Sequence, residues 1–182
     1  MKPVKLLSII LLIAIQQGFA QRAADNKSAI KDIINQYSES VIAKDSVKFY
    51  SLFNDGPVTW CAAVKERSQA KEIVKKGAKT TGSNYFAGSY KGFLRGLFQY
   101  KSTEDKFDHI QIVEDGTVAT VTMDYSFWAN HEMTNWGSKY LGLIKKDGKW
   151  KITSVIYSLE LTGYFKQPNL RERMKSRLGG QS

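Results

Sequence analysis

Apolar residues in the first part of the chain recur at steps of three and four. This helical period begins after Ser28, which is a plausible N-cap. The apolar positions are Ile30, Ile33, Ile34, Tyr37, Val41 and Ile42. A second, short helix is predicted from Ser46. It ends at the Asn54-Asp55-Gly56-Pro57 cluster, because these residues favour turns.

The segment between residues 58 and 101 has a weaker pattern. The run Val58–Val64 predicts a strand. Residues 68–79 have a helical composition, residues 80–90 are rich in Gly, Ser and Thr, and residues 91–100 are again compatible with a helix. We therefore expect a helix, an exposed loop and another helix in this order.

From Lys106 the apolar period changes to two, which is typical of strands with one buried face. Four consecutive antiparallel strands are predicted, over residues 107–113, 118–128, 136–144 and 150–161. Asp115-Gly116 and Asp147-Gly148 supply strong hairpin signals. The fold class is therefore α+β, with a curved antiparallel sheet wrapped around a long N-terminal helix.

The first twenty residues have the pattern of a signal peptide. Lys2 and Lys5 precede an apolar run, and the small residues Gly18 and Ala20 stand where a signal peptidase would cut. The apolar run of roughly ten residues is short of the ~20 that a transmembrane anchor needs. We expect an exported protein, periplasmic or secreted, with a signal peptide at 1–20, a short linker at 21–27, one domain at 28–161 and a basic tail at 162–182.

Composition excludes several kinds of stabilisation and binding. A single cysteine, Cys61, rules out an internal disulfide, and with His109 and His131 it is too widely spaced in sequence to suggest a zinc site. No metal or cofactor is expected.

Removing Lys2 and Lys5 lowers the formal charge from +10 to +8, and the last twenty residues carry +4 of it. Such a tail can bind nucleic acid or an anionic surface, but we expect a solvated helix, no nucleic-acid partner and no stable membrane insertion.

The order of elements and several short motifs resemble the nuclear-transport-factor-2-like superfamily. The motifs are Ile42-Ala43-Lys44-Asp45, Leu52-Phe53-Asn54-Asp55 and Asp147-Gly148-Lys149-Trp150-Lys151-Ile152, and the resemblance covers about residues 28–161. It implies a cone-shaped fold shared by ketosteroid isomerases, SnoaL-like cyclases and scytalone dehydratases. The C-terminal half is similar to exported bacterial proteins described only as nuclear transport factor 2 family or as candidate lumazine-binding proteins, on the following residues: Asp124–Phe127, Asn135–Gly137 and Ser154–Ser158.

The ketosteroid isomerase pattern implies a carboxylate base and an oxyanion hole made by a tyrosine and a protonated aspartic acid. Carried onto this chain, the helix tyrosine falls on Tyr37, the base on Cys61 and the second oxyanion donor on Tyr140. Only the first matches in type. Because proton abstraction next to a ketone needs a positioned base with a tuned pKa, steroid-type isomerisation is disfavoured.

Other catalytic candidates have simpler explanations. Strand alternation directs His109 toward solvent or a subunit, His131 falls in a hairpin turn, and Asp124 is directed to the outer sheet face. Cys61 lacks a nearby histidine base, which a thiol nucleophile needs. No catalytic residue is therefore predicted.

The predicted inner face is aromatic and amphipathic, which suits a pocket for a small apolar or aromatic molecule. The predicted ligand-binding residues are Tyr37, Cys61, Met123, Tyr125, Phe127, Trp136, Tyr140 and Tyr157. The leading hypothesis is an exported binding domain without turnover. One alternative is an isomerase, cyclase or dehydratase that uses Tyr37 and Tyr140 as hydrogen-bond donors. Another is a module that dimerises through its outer sheet face and binds no ligand.

The size of the cavity separates these hypotheses. An apolar cavity above ~300 Å³ that opens between Tyr37 and Tyr140 is expected for a binding domain or an enzyme. A cavity closed by side chains would favour the interaction module.

Overall fold

The computed structural model describes residues 4–76, 83–169, 171–173 and 175, with side chains described from residue 21 onward. In chain order the elements are α1 (Val4–Ala43), α2 (Ser46–Ser51), β1 (Thr59–Val64), α3 (Glu66–Lys76), β2 (Tyr85–Ala87), α4 (Tyr90–Leu97), β3 (Thr103–Glu114), β4 (Val118–Ala129), β5 (Glu132–Lys146) and β6 (Lys149–Leu161). The end of the predicted third helix (77–79), the start of the predicted loop (80–82) and residues 170, 174 and 176–182 of the basic tail lie outside the described residues.

One six-stranded sheet organises the domain, in the order β2-β1-β6-β5-β4-β3. The four strands β3 to β6 pair antiparallel with their sequence neighbours, as predicted. Strand β1 pairs parallel to β6, which places the early part of the chain beside its end. The sheet curves without closing, and its concave face packs on α1, so the predicted α+β class is confirmed.

The hairpins form where the sequence tolerates left-handed backbone. At the β4–β5 turn Asn130 has φ 52° and His131 has φ 68°, and at the β5–β6 turn Asp147 and Gly148 have φ 51° and 77°. Two consecutive positive φ values match the right-handed twist of the flanking strands. His131 thus lies in a turn, as predicted.

Helix α1 supplies the buried face on which the sheet closes. Ile30, Ile34 and Val41 are at most 1% exposed and belong to the main hydrophobic core. Ser38 fixes the helix to β3, because its hydroxyl donates a 2.8 Å hydrogen bond to the carbonyl of Asp105. Among the described residues, no helix is both long and apolar enough to cross a membrane.

Two local predictions are wrong. The helix does not begin at Ser28 but runs through residues 21–27 without a break, so no N-cap is needed there. Residues 85–87 form the short strand β2 rather than a loop, because their backbone pairs with β1 at the open edge of the sheet. All three side chains of β2 remain exposed.

Candidate functional site

The concave face of the sheet brings together two rows of side chains from strands β3 to β6. In one row Asp105 of β3 pairs with Phe127 of β4, which pairs with Asn135 of β5. In the other row Met123 of β4 pairs with Lys139, which pairs with Tyr157 of β6. Since side chains alternate between faces, all members of both rows project to the same side.

An ion pair lies at the centre of this face. The Lys139 ammonium contacts the Oδ2 atom of Asp105, and the side chains are 3% and 1% exposed, respectively. The two strands are not neighbours, because β4 runs between them. The lysine side chain therefore reaches across β4 inside the cone, above the ring of Tyr125.

Aromatic rings surround the ammonium on several sides. The distances from Nζ to the ring centres are 4.5 Å for Tyr125, 5.1 Å for Phe107, 5.2 Å for Tyr37 and 5.6 Å for Tyr157. A cation within about 6 Å of a ring face is attracted by the ring quadrupole. The rings replace part of the hydration that the buried ammonium has lost.

Two polar atoms next to the ion pair have unused hydrogen-bonding capacity. The Oδ1 atom of Asp105 and the hydroxyl of Tyr37 are buried and have no hydrogen-bond partner among the described residues. By contrast, the Tyr125 hydroxyl donates to Asn135 Oδ1 at 3.0 Å. Buried polar atoms normally find a partner in the protein or in water, so the free atoms mark a place where a partner is expected.

Burial controls the titration of this cluster. It raises the pKa of the Asp105 carboxyl and lowers the pKa of the Lys139 ammonium, and in each case the attraction of the partner offsets part of the effect. Burial also raises the pKa of the Tyr157 hydroxyl to about 12. Ionisable groups that are strongly perturbed inside a cleft are typical of functional sites.

A cavity of about 190 Å³ opens over the ion pair. Asp105 and Lys139 line it together with Asn135, and the other lining residues are apolar or aromatic: Trp60, Phe86, Phe93, Tyr125, Phe127, Tyr157 and Leu159. Its volume is below the ~300 Å³ that was expected for a binding domain or an enzyme, so this expectation is not met. Among its lining residues Phe86 of β2 is 42% exposed, whereas neither Tyr37 nor Tyr140 lines this cavity.

The structure brings five of the eight predicted ligand-binding residues to the concave side. Tyr125, Phe127 and Tyr157 line the cavity. Tyr37 is 1% exposed and contacts the ion pair from the helix side. Met123 is on the same face but lies deeper, within the hydrophobic core.

The expected inward orientation is wrong for Cys61, Trp136 and Tyr140. Cys61 stands between Trp60 and Ala62, both buried, so alternation turns it to the other face. The Trp136 indole donates to the carbonyl of Phe165 at 2.8 Å on the outer face. Tyr140 is 48% exposed.

The error in β5 concerns which face its residues occupy. Leu141 and Leu143 are each 2% exposed and face the core. Residue 139 has the same parity, so the signal for an inward Lys139 was present in the alternation of the leucines. Similarly, the parity of Phe107 places Asp105 inside. The prediction assigns the inner face of β5 to Trp136 and Tyr140 and therefore misses Lys139, and it misses Asp105 because β3 begins at Thr103, earlier than the predicted residue 107.

The histidine and the aspartate considered as catalysts meet on the outer face, away from the cavity. His109 Nδ1 lies 3.1 Å from Asp124 Oδ2, and Arg173 donates to the same oxygen at 3.3 Å. His109 stands at the irregularity between Asp108 and Gln111, where its φ is 50°. Asp124 is thus directed outward as predicted, where it holds the C-terminal segment on the sheet.

Neither a protein-family model nor a curated protein sequence matches this chain. Solved structures with the same architecture do match. A candidate scytalone dehydratase from Novosphingobium aromaticivorans superposes with a TM-score of 0.58 at 16% identity, over 78% of this chain and 89% of that one. Other matching structures are described as nuclear-transport-factor-2-like proteins. The chain has the nuclear-transport-factor-2-like fold.

Two further structures with this fold are proteins of unknown function. One, from Pseudomonas putida, has a TM-score of 0.56 at 11% identity, and covers 74% of this chain and 87% of its own. The other, from Shewanella baltica, has a TM-score of 0.51 at 17% identity, over 75% of this chain and 95% of that one. The predicted fold resemblance is therefore confirmed, and identities this low carry information about the fold alone.

Proposed function

We propose that this protein is an exported small-molecule-binding domain, and that its cavity holds a small aromatic molecule carrying one polar group. The observation that carries the proposal is the ion pair of Asp105 and Lys139 on the wall of a cavity otherwise lined mainly by rings. The rings suit a flat apolar body. The ion pair suits its polar group.

Stability alone gives a poor account of the ion pair. Desolvating two charges costs several kcal/mol each, and replacing such a pair by apolar residues of similar volume is often neutral or stabilising. Asp105 also keeps Oδ1 without a partner. A ligand hydroxyl could donate to that oxygen and accept from the lysine ammonium, which has donors to spare. Recognition of a polar group thus explains a feature that packing does not.

The cavity limits the size of the ligand. A volume of about 190 Å³ is below the range of about 300–1,000 Å³ that holds drug-sized molecules. The apolar walls favour a planar ring packed near Tyr125 and Tyr157. A single substituted ring fits these conditions better than a fused, steroid-sized skeleton.

An enzyme of the isomerase or dehydratase kind is the second candidate. It is favoured by Asp105, a buried carboxyl with a raised pKa in a cleft, since a carboxyl of this kind can serve as a general acid or base. The fold neighbour described as a candidate scytalone dehydratase is compatible with it. An enzyme that uses both Tyr37 and Tyr140 as hydrogen-bond donors is not supported, because Tyr140 is on the outer face.

Export and dimer formation are separate proposals. Export rests on the signal-peptide pattern of residues 1–20. A homodimer through the outer face is supported by Tyr140 and Ile156, which are 48% and 46% exposed and pair with each other across β5 and β6. Exposed apolar side chains that are adjacent, rather than scattered, favour an interaction surface.

Native mass spectrometry of the protein purified from its own host tests the binding proposal. We expect a small molecule to accompany the wild-type protein and to be absent from the double variant Asp105→Leu/Lys139→Met, which removes both charges. Incubation of the released molecule with fresh protein then separates the two candidates. An unchanged molecule supports a binding domain, a converted one supports an enzyme, and equal retention by both proteins contradicts the site.

A further inference from the structure

Lys139 is the one described lysine that is both fully buried and a lining residue of the ring-walled cavity. Its amine is the only strong nucleophile among the residues that line it. A guanidinium or an amide would provide hydrogen-bond donors without nucleophilic character. The amine therefore offers chemistry beyond hydrogen bonding.

We propose that Lys139 captures the carbonyl carbon of a small aromatic aldehyde or ketone as an imine, with Asp105 as the proton carrier. This inference rests on the proposed binding function and specifies its ligand class. The carbonyl is the polar group, and the aromatic ring is the apolar body.

The free amine that this reaction needs is accessible in the pair. Burial lowers the pKa of Lys139 and raises the pKa of Asp105, so both shifts favour transfer of the proton from Nζ to the carboxylate. An exposed lysine with a pKa near 10.4 has little neutral amine at physiological pH. Lysines that form Schiff bases are activated by desolvation in this way.

Each proton in the reaction has a donor and an acceptor. Nζ gives one proton to Asp105 and then forms the N–C bond. The carbonyl π bond breaks, and the carbonyl oxygen accepts that proton from Asp105. The nitrogen returns a second proton to Asp105. Asp105 delivers it to the hydroxyl, the C–O bond breaks, water leaves, and the nitrogen lone pair closes the C=N bond.

The product keeps the charge balance of the starting state. An ammonium beside a carboxylate becomes an iminium beside the same carboxylate, so no net charge is created in the apolar interior, where an unpaired ion would be costly. The rings of Tyr125 and Tyr157, at 4.5 and 5.6 Å from Nζ, contact the cation before and after the reaction.

Reductive trapping tests the proposal. The wild-type protein is incubated with 4-fluorobenzaldehyde and cyanoborohydride, and the adducts are located by intact mass and peptide mapping. We expect one adduct, on Lys139, formed about tenfold or more faster than on any surface lysine because of its larger fraction of free amine. The double variant Asp105→Leu/Lys139→Met should lose this adduct and keep the slow background.

A non-carbonyl analogue separates this proposal from the binding function. Binding of 4-fluorophenol is followed by ¹⁹F NMR in the same samples. If the phenol binds but trapping at Lys139 is no faster than at surface lysines, imine capture is wrong and the binding function stands. If neither compound binds, both proposals fail. Fast trapping at Lys139 and at no other lysine supports both the imine proposal and the binding function.

Discussion

The carboxylate of Asp105 in β3 and the ammonium of Lys139 in β5 form a buried ion pair across the intervening strand β4. Neither residue is near the other in sequence, and neither strand pairs with the other. The contact exists because the sheet curves and because a lysine is long enough to reach over Tyr125. It places two opposite charges where this fold has its hydrophobic interior.

Breaking the pair should be costly. Lys139→Met leaves a buried carboxylate without its counter-ion, so we expect the free energy of unfolding to fall by about 3–5 kcal/mol at neutral pH. Urea denaturation measures the change. In the matched double variant Asp105→Leu/Lys139→Met no charge remains buried, and stability should return to or above the wild-type value. If the loss of stability in the double variant equals the sum of the losses in Lys139→Met and Asp105→Leu, the two charges do not interact.

Replacing Tyr37 by Phe should stabilise the unliganded protein. The ring packs 5.0 Å from Phe49 and 5.7 Å from Phe107, centre to centre, and these contacts remain. The hydroxyl is buried without a partner, so its removal should raise the free energy of unfolding by about 1 kcal/mol. Denaturation of the apo protein checks this. A loss of apo stability would mean that the hydroxyl has a partner.

The Tyr157 hydroxyl should make stability fall at alkaline pH. Its pKa is raised from 10.0 to about 12 in the folded protein, so the folded state holds this proton more tightly than the unfolded state does. The contribution is complete below pH 10 and is lost as pH rises through 12. Relative to Tyr157→Phe, the wild-type protein should lose up to about 3 kcal/mol over this range. Parallel pH profiles for the two proteins would contradict the assignment.

Gly137 is required by the close approach of β5 and β6. A Cβ atom at this position would lie 2.0 Å from the backbone oxygen of Ser158, and backbone cannot move aside as a flexible side chain can. Gly137→Ala should therefore cost about 3 kcal/mol, at the upper end of overpacking effects. Gly96→Ala is the control, because nothing lies within 4 Å of its Cβ in α4 and alanine favours helix by about 0.5–1 kcal/mol. Similar thermal shifts for both variants would contradict the packing argument.

The fold was predictable from sequence because its signals are local. The helical period ending near Ile42, the alternation after Lys106 and the Asp-Gly turns each act over a few residues. The parallel pairing of β1 with β6 was not predicted, since it joins segments about a hundred residues apart. The same holds for β2, whose three exposed residues show no strand alternation.

The site was predictable only in part, for a physical reason. Tyr125, Phe127 and Tyr157 were found because rings on an inner face are expected. Lys139 was missed because the prediction gives the inner face of β5 to Trp136 and Tyr140, which have the opposite parity. Asp105 was missed because it precedes the predicted strand 107–113, and charged residues are normally exposed. A buried charge can be predicted only when its counter-ion is known. Here the counter-ion lies on a strand that is separated from the first by β4.

The most direct test of the central claim is ligand-observed ¹⁹F NMR with a set of single-ring fluorophenols and fluorobenzaldehydes. Spectra are compared for the wild-type protein and for the folded double variant Asp105→Leu/Lys139→Met. We predict line broadening of several compounds with the wild-type protein and its loss with the double variant, because the ion pair holds the polar group. No broadening with the wild-type protein, or equal broadening with both, would contradict a binding site at Asp105 and Lys139.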